Sequence, residues 1–127
     1  MKEKVGEVFS IARDNAPVRG CTISREVHGG TSSITYFSLA GGTDISAEIH
    51  PYHKLILVMS GSIAVYGEGA ERRLGSGDGL LTEADKAVGI RASEDAVYTE
   101  ISVQKEDRMN TVIKAGEVFR LAYLVPY

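Results

Sequence analysis

The sequence predicts an all-β domain, a sandwich or barrel of short strands, and three observations carry this. No window of about a dozen residues repeats apolar side chains at the offsets of an amphipathic helix. Short runs rich in β-branched and aromatic residues recur instead. Between them stand Gly29-Gly30, Gly41-Gly42, Ser60-Gly61, Gly67-Glu68-Gly69 and Gly75-Ser76-Gly77-Asp78, where glycine supplies the positive φ that tight turns need.

Taken in order, an opening strand is expected at Val5 to Ile11, around the apolar pair Val8-Phe9. Cys21 to His28 and Ser33 to Leu39 flank Gly29-Gly30, and Ile45 to His50 follows Gly41-Gly42. Leu55 to Met59 and Ser62 to Tyr66 meet at Ser60-Gly61. Gly79 to Thr82, Ala87 to Arg91, Val97 to Val103 and Thr111 to Ala115 complete the set. Ten short strands with close-set turns suit a sandwich or barrel. At 127 residues the chain fits one domain over 1–127, with a barrel core at about 33–103 and edge strands at 4–12 and 111–122.

Composition removes several functions. The balance of 14 basic against 17 acidic residues, with Arg72-Arg73 the sole adjacent basic pair, argues against nucleic acid and anionic membrane surfaces as partners. The apolar run Leu55 to Met59 is too short to span a bilayer, and Met1-Lys2-Glu3-Lys4 leads into no signal-peptide core, so a cytoplasmic location is expected. A single cysteine, Cys21, forbids an internal disulfide and a thiolate metal cluster. The Gly75 to Gly79 run lacks the lysine of a phosphate loop and reads as a hairpin.

One segment repeats. "KVGEVFSIA" at Lys4 to Ala12 returns as "KAGEVFRLA" at Lys114 to Ala122, with six of nine positions identical. Two edge strands could hold equivalent places in a two-fold or duplicated arrangement, with Val8 and Phe9 matched by Val118 and Phe119 as packing residues. Alternatively, the last segment opens a following copy of the domain. Because an exposed edge strand invites pairing, a homodimer with exchanged edge strands is expected.

The densest chemistry lies in "AEIHPYHK", Ala47 to Lys54, which holds two of the three histidines. Gly42 is followed by five residues, then Glu48, Ile49, His50, three residues, Lys54, six residues and Gly61. That frame resembles the first motif of the cupin family, G-x5-H-x-H-x3/4-E-x6-G. The second motif, G-x5-P-x-G-x2-H-x3-N, can be laid on Gly77-Asp78, with the fifteen residues Ser62 to Ser76 between the two motifs. The resemblance implies a double-stranded β-helix, or jelly roll, of the RmlC-like kind, with a small-molecule pocket in the barrel and frequent dimerisation. It does not imply one activity, because one fold hosts many.

The motif's ligand positions are altered. Glu48 stands at the first histidine, His50 at the second, and Lys54 at the glutamate; in the second motif Val88 holds the histidine position and Ala92 the asparagine position. A lysine ammonium carries no lone pair and repels a divalent cation, so Lys54 argues against the family's usual metal, and no cofactor is expected. The competing possibility is a rebuilt site for Zn, Ni, Mn or Fe from Glu48, His50 and His53, although the odd spacing of His53 puts it on the opposite strand face unless Pro51 bends the chain.

Without metal, Lys54 beside the carboxylate of Glu48 could fill the cation's role, since a buried charge must be paired. The expected catalytic group is His50, Glu48 and Lys54, with His50 as proton shuttle; Tyr36, Tyr98 and Glu100 are expected ligand contacts. Two functions from different classes follow: a protein that binds a sugar or carboxylate in a metal-free pocket, or a small enzyme of isomerase, lyase or oxygenase type.

Overall fold

Alternating side chains need two faces to divide between, and here the division produces a two-sheet sandwich. The computed structural model describes residues 6–28 and 33–104. Its strands are β1 (Thr22–His28), β2 (Ile34–Leu39), β3 (Asp44–Ile49), β4 (His53–Ser60), β5 (Ser62–Gly67), β6 (Ala70–Gly75), β7 (Gly79–Leu81), β8 (Ala87–Arg91) and β9 (Ala96–Val103). A five-stranded sheet runs β1-β2-β9-β4-β7 and a four-stranded sheet runs β3-β8-β5-β6. Every pairing is antiparallel.

The core lies between the sheets. Leu39, Ile56, Val58 and Tyr98 from the larger sheet meet Ile63, Val65, Leu74 and Ile90 from the smaller one, all buried. Each inward residue on β4, at 54, 56 and 58, is separated from the next by one facing outward, as strand geometry requires. The turn at Ser60-Gly61 depends on its glycine: Gly61 has φ +75, and a Cβ there would meet the Asp95 carbonyl oxygen at 2.1 Å.

The ends of the chain differ from expectation. Residues 7–10 form no strand, and Ile11–Asp14 forms a short helix, α1. The cause is local: the Ser10 side chain accepts a hydrogen bond from the Arg13 N–H and caps the helix, which outweighs the β preference of Val8 and Ile11. Val8, expected as a packing residue, is 98% exposed. Phe9 does pack, with its ring 5.8 Å from that of Tyr36. β6, absent from the expected strands, is charged and exposed along Glu71-Arg72-Arg73, an edge strand paired to β5 alone. The expected strand Thr111 to Ala115, and with it the segment 111–122, lies outside the described residues.

The segment around α1 lies against the outer face of β2. Asn15 is buried, its amide donates to Ser38 Oγ at 2.9 Å, and the Ser38 hydroxyl donates to the Asn15 carbonyl oxygen. Among the described residues no helix is long and apolar enough to cross a membrane.

Candidate functional site

Between the sheets opens a cavity of about 360 Å³. Its floor is apolar, made by Phe37, Ile45, Val88, Ile90 and Tyr98; its polar residues are Thr22, Ser46, Glu48, His50, Tyr52, Lys54 and Glu100. Each sheet contributes a wall. Glu48 stands on β3 of the smaller sheet and Lys54 on β4 of the larger one, so the stretch from 48 to 54 crosses from wall to wall. Along it Glu48, His50, Tyr52 and Lys54 all face the cavity. The main chain is fixed midway, where the Asp85 N–H donates to the His50 carbonyl at 2.8 Å.

A bulge shapes the β3 wall. Ile45 pairs with Ile90 and Glu48 with Val88, so three steps on β3 oppose two on β8. The extra residue allows Ile45, Ser46 and Glu48 all to reach the cavity despite their mixed spacing.

Three side chains form a connected relay. His50 Nε2 lies 3.2 Å from Glu48 Oε1, and the Tyr52 hydroxyl lies 3.2 Å from His50 Nδ1. A carboxylate only accepts, so the neutral imidazole carries its proton on Nε2, and Tyr52 donates to Nδ1. The two rings stack, with centroids 5.1 Å apart. Burial, then the nearby carboxylates of Glu100 and Glu48, raise the Tyr52 phenol above its usual range, which keeps it a hydrogen donor near neutrality.

Lys54 takes a different partner from the one expected. Its Nζ lies 3.5 Å from Glu100 Oε2, and the two side chains are 13% and 17% exposed. Register explains the pairing: Lys54 opposes Ser102 while Ile56 opposes Glu100, so the pair is a diagonal across β4 and β9 on the inner face. Glu48, 62% exposed, pairs with His50 instead.

Two expected residues lie elsewhere. Tyr36 is on the outer face of β2 against Phe9, and its neighbour Phe37 lines the cavity, stacked on Tyr98 at 5.1 Å and 10°. This corrects Tyr36 as a cavity residue; the inward parity of β2 belongs to the odd positions. His53 is buried on the opposite face of β4 from Lys54, where its Nδ1 accepts from the Ala84 N–H at 3.1 Å and lies 3.1 Å from the Thr82 carbonyl. It is not a cavity residue. Tyr98 and Glu100 do line the cavity, as expected. Burial, then Glu100, push the Tyr98 phenol far above its usual range.

Sequence reasoning passed over Tyr52, Phe37, Thr22 and Ser46. The signal for Tyr52 was present in the even spacing 48, 50, 52, 54, which persists through Pro51.

The arrangement is that of a known architecture. Similar structures include a conserved protein of unknown function from Streptococcus pyogenes, at 19% identity and TM-score 0.74, with 80% of this chain and 90% of that one covered. A double-stranded β-helix protein from Klebsiella pneumoniae follows at 22% identity and TM-score 0.67, covering 76% and 88%. A cupin superfamily protein from Desulfitobacterium hafniense matches at 21% identity and TM-score 0.65, covering 68% and 80%. The chain has the cupin fold. No family model and no curated protein matches it.

A divalent metal, the group a cupin frame implies, does not fit the residues of this barrel. Lys54 holds a ligand position and is ion-paired there to Glu100; both ring nitrogens of His50 are engaged. Among the described residues no three His, Cys, Asp or Glu side chains are grouped to hold a metal ion.

Proposed function

We propose that this cupin-fold protein binds a neutral, polyhydroxylated small molecule of monosaccharide size in the cavity between its sheets, without a metal. The observation that carries this is the composition of the walls. Glu48 and Glu100 face one ammonium, Lys54, which is already paired. Two carboxylates against one ammonium disfavour a carboxylate ligand and suit hydroxyl groups that donate to the acids and to the Tyr52 oxygen and accept from Lys54 and Thr22. The stacked floor of Phe37 and Tyr98 offers an apolar surface for the carbon face of a sugar ring. The volume is near the lower end of the roughly 300–1,000 Å³ typical of small-molecule sites, so one ring fits better than a dinucleotide.

The test is thermal shift and titration calorimetry on chelator-treated protein with aldohexoses, deoxyhexoses, hexuronates and small dicarboxylates. Hexoses are expected to bind, and Tyr52→Phe and Lys54→Met to weaken them. Binding confined to the hexuronates or dicarboxylates would overturn the charge argument.

The relay Glu48–His50–Tyr52 supports a second reading, an acid–base enzyme acting on the same ligand class. Tyr52 would take a proton at its oxygen from a substrate hydroxyl as it passes its own to His50 Nδ1, with Glu48 stabilising the imidazolium and Lys54 facing the developing oxyanion. Turnover of a bound hexose, abolished by His50→Ala and bell-shaped in pH, supports this reading; tight binding without turnover refutes it.

A further inference from the structure

Tyr66 donates its hydroxyl hydrogen to Asp44 Oδ1 at 2.8 Å, and Tyr52 donates to His50. Tyr98 differs. It is fully buried, and among the described residues no group lies within hydrogen-bond reach of its hydroxyl. What holds its proton on is burial first and the Glu100 carboxylate second, whereas for Tyr66 the hydrogen bond to Asp44 comes first. A phenol shut away from water without a partner destabilises a fold, and such groups are rare in native proteins. Phenylalanine would fill nearly the same volume without that cost.

The surroundings explain why no side chain answers the phenol. The rest of the cavity floor, Phe37, Ile45, Val88 and Ile90, has no polar side-chain atom. Phe37 covers the ring of Tyr98 at 5.1 Å. Glu100, two residues on along the same face of β9, is held by Lys54 at 3.5 Å. A partner for the hydroxyl can therefore come only from within the cavity of about 360 Å³ that Tyr98 lines.

We propose that the Tyr98 hydroxyl is a specificity-determining contact: it pairs with a hydroxyl group of the ligand at the apolar floor and so selects a fully hydroxylated hexose over the analogue deoxygenated there. The inference rests on the reading of the cavity as a hexose site. A ligand hydroxyl suits this place because it can accept from the phenol or donate to its oxygen, and because it brings no charge towards Glu100. Tyr98 and Glu100 are about 7 Å apart along the strand, a spacing that one sugar ring can bridge. A site that hydrogen-bonds a hydroxyl rejects the analogue lacking it far more sharply than an apolar pocket rejects the analogue that adds it. Tyr98 makes the floor a site of the first kind, and Tyr98→Phe would make it one of the second.

Titration calorimetry on the full chain tests this, with glucose, galactose, mannose and the analogues that lack each hydroxyl in turn, on wild type and Tyr98→Phe. Wild type should bind one deoxy analogue of its preferred hexose about tenfold or more weakly than the hexose itself. Tyr98→Phe should lose a similar factor for the hexose and bind that analogue as wild type does, the coupling that a direct contact produces. Its urea midpoint should be unchanged or higher, because only an unpaired hydroxyl is removed. The proposal alone is overturned if Tyr98→Phe binds the hexose as tightly as wild type, if every deoxy penalty persists in full in the variant, or if the variant's urea midpoint falls. Equal affinity of wild type for the hexose and all its deoxy analogues overturns it without any variant. If no hexose binds wild type, the reading of the cavity fails and the proposal with it.

Discussion

Replacing Lys54 by methionine keeps a long unbranched stem and deletes the ammonium. At 3.5 Å the Lys54–Glu100 attraction is about 4.7 kcal/mol with an effective dielectric of about 20. Against this stands the desolvation of the ammonium, which the variant no longer suffers, and the two side chains retain 13% and 17% of their exposure. The residual is the cost of leaving the Glu100 carboxylate alone above an apolar floor, about 2–3 kcal/mol of lost stability, somewhat under the 3–5 seen for fully buried pairs. In a domain of this size that is roughly a 10 °C fall in Tm. Lys54→Met with Glu100→Leu should recover most of it, because a buried ion pair replaced by apolar groups of similar volume is often near neutral. Urea unfolding followed by far-UV circular dichroism measures both variants. A single Lys54→Met variant as stable as wild type, or more so, would refute the reasoning and reduce the pair to a weak surface bridge.

Other expectations follow from single contacts. Phe37→Ala should cost about 3–4 kcal/mol and impair hexose binding, since it removes the ring stacked on Tyr98; Tyr36→Phe, on the outer face, should leave hexose binding unchanged, and calorimetry compares them. Ser38→Ala leaves the buried Asn15 amide without its acceptor and should lose about 1–3 kcal/mol by urea unfolding. Gly61→Ala, with φ +75 and a carbonyl at 2.1 Å from the new Cβ, should destabilise by about 3 kcal/mol or more, read by the same assay. The Tyr98 and Tyr52 phenols hold their protons more tightly folded than unfolded. Their contribution is full below the unfolded value of about 10 and is lost as pH rises beyond it. Alkaline unfolding should thus begin above about pH 10, and Tyr52→Phe should make it less steep.

Most of the barrel was legible because its strands are short, turn-bounded and β-branched. Glycine marked the Ser60-Gly61 corner, where the close approach of Asp95 leaves no room for a side chain. β6 escaped because an edge strand with exposed Glu71-Arg72-Arg73 carries no apolar alternation to read. The opening segment escaped because one capping serine redirects it. In the site, the parity of Glu48, His50 and Lys54 was readable along a single stretch. The Lys54–Glu100 pairing was not, since it depends on the register of strands remote in sequence. For Tyr36 and Phe37 the sequence offered two adjacent aromatics and no means of choosing the inward one; Phe9, packed on Tyr36, settles that choice by covering the other face.

The crossing from Glu48 to Lys54 ties the cavity's two walls together. The two walls are joined by a short span of chain that is itself anchored at His50 by Asp85, so they cannot part without unpairing a strand end. Selection by size should therefore be sharp and insensitive to temperature, unlike that of a lidded site. Lengthening the span by one residue beside Pro51 would turn Tyr52 or His50 out of the cavity, while lengthening it by two would keep the facing and widen the opening. The span is a ruler, and its even count sets both the gap between the walls and which side chains meet in it.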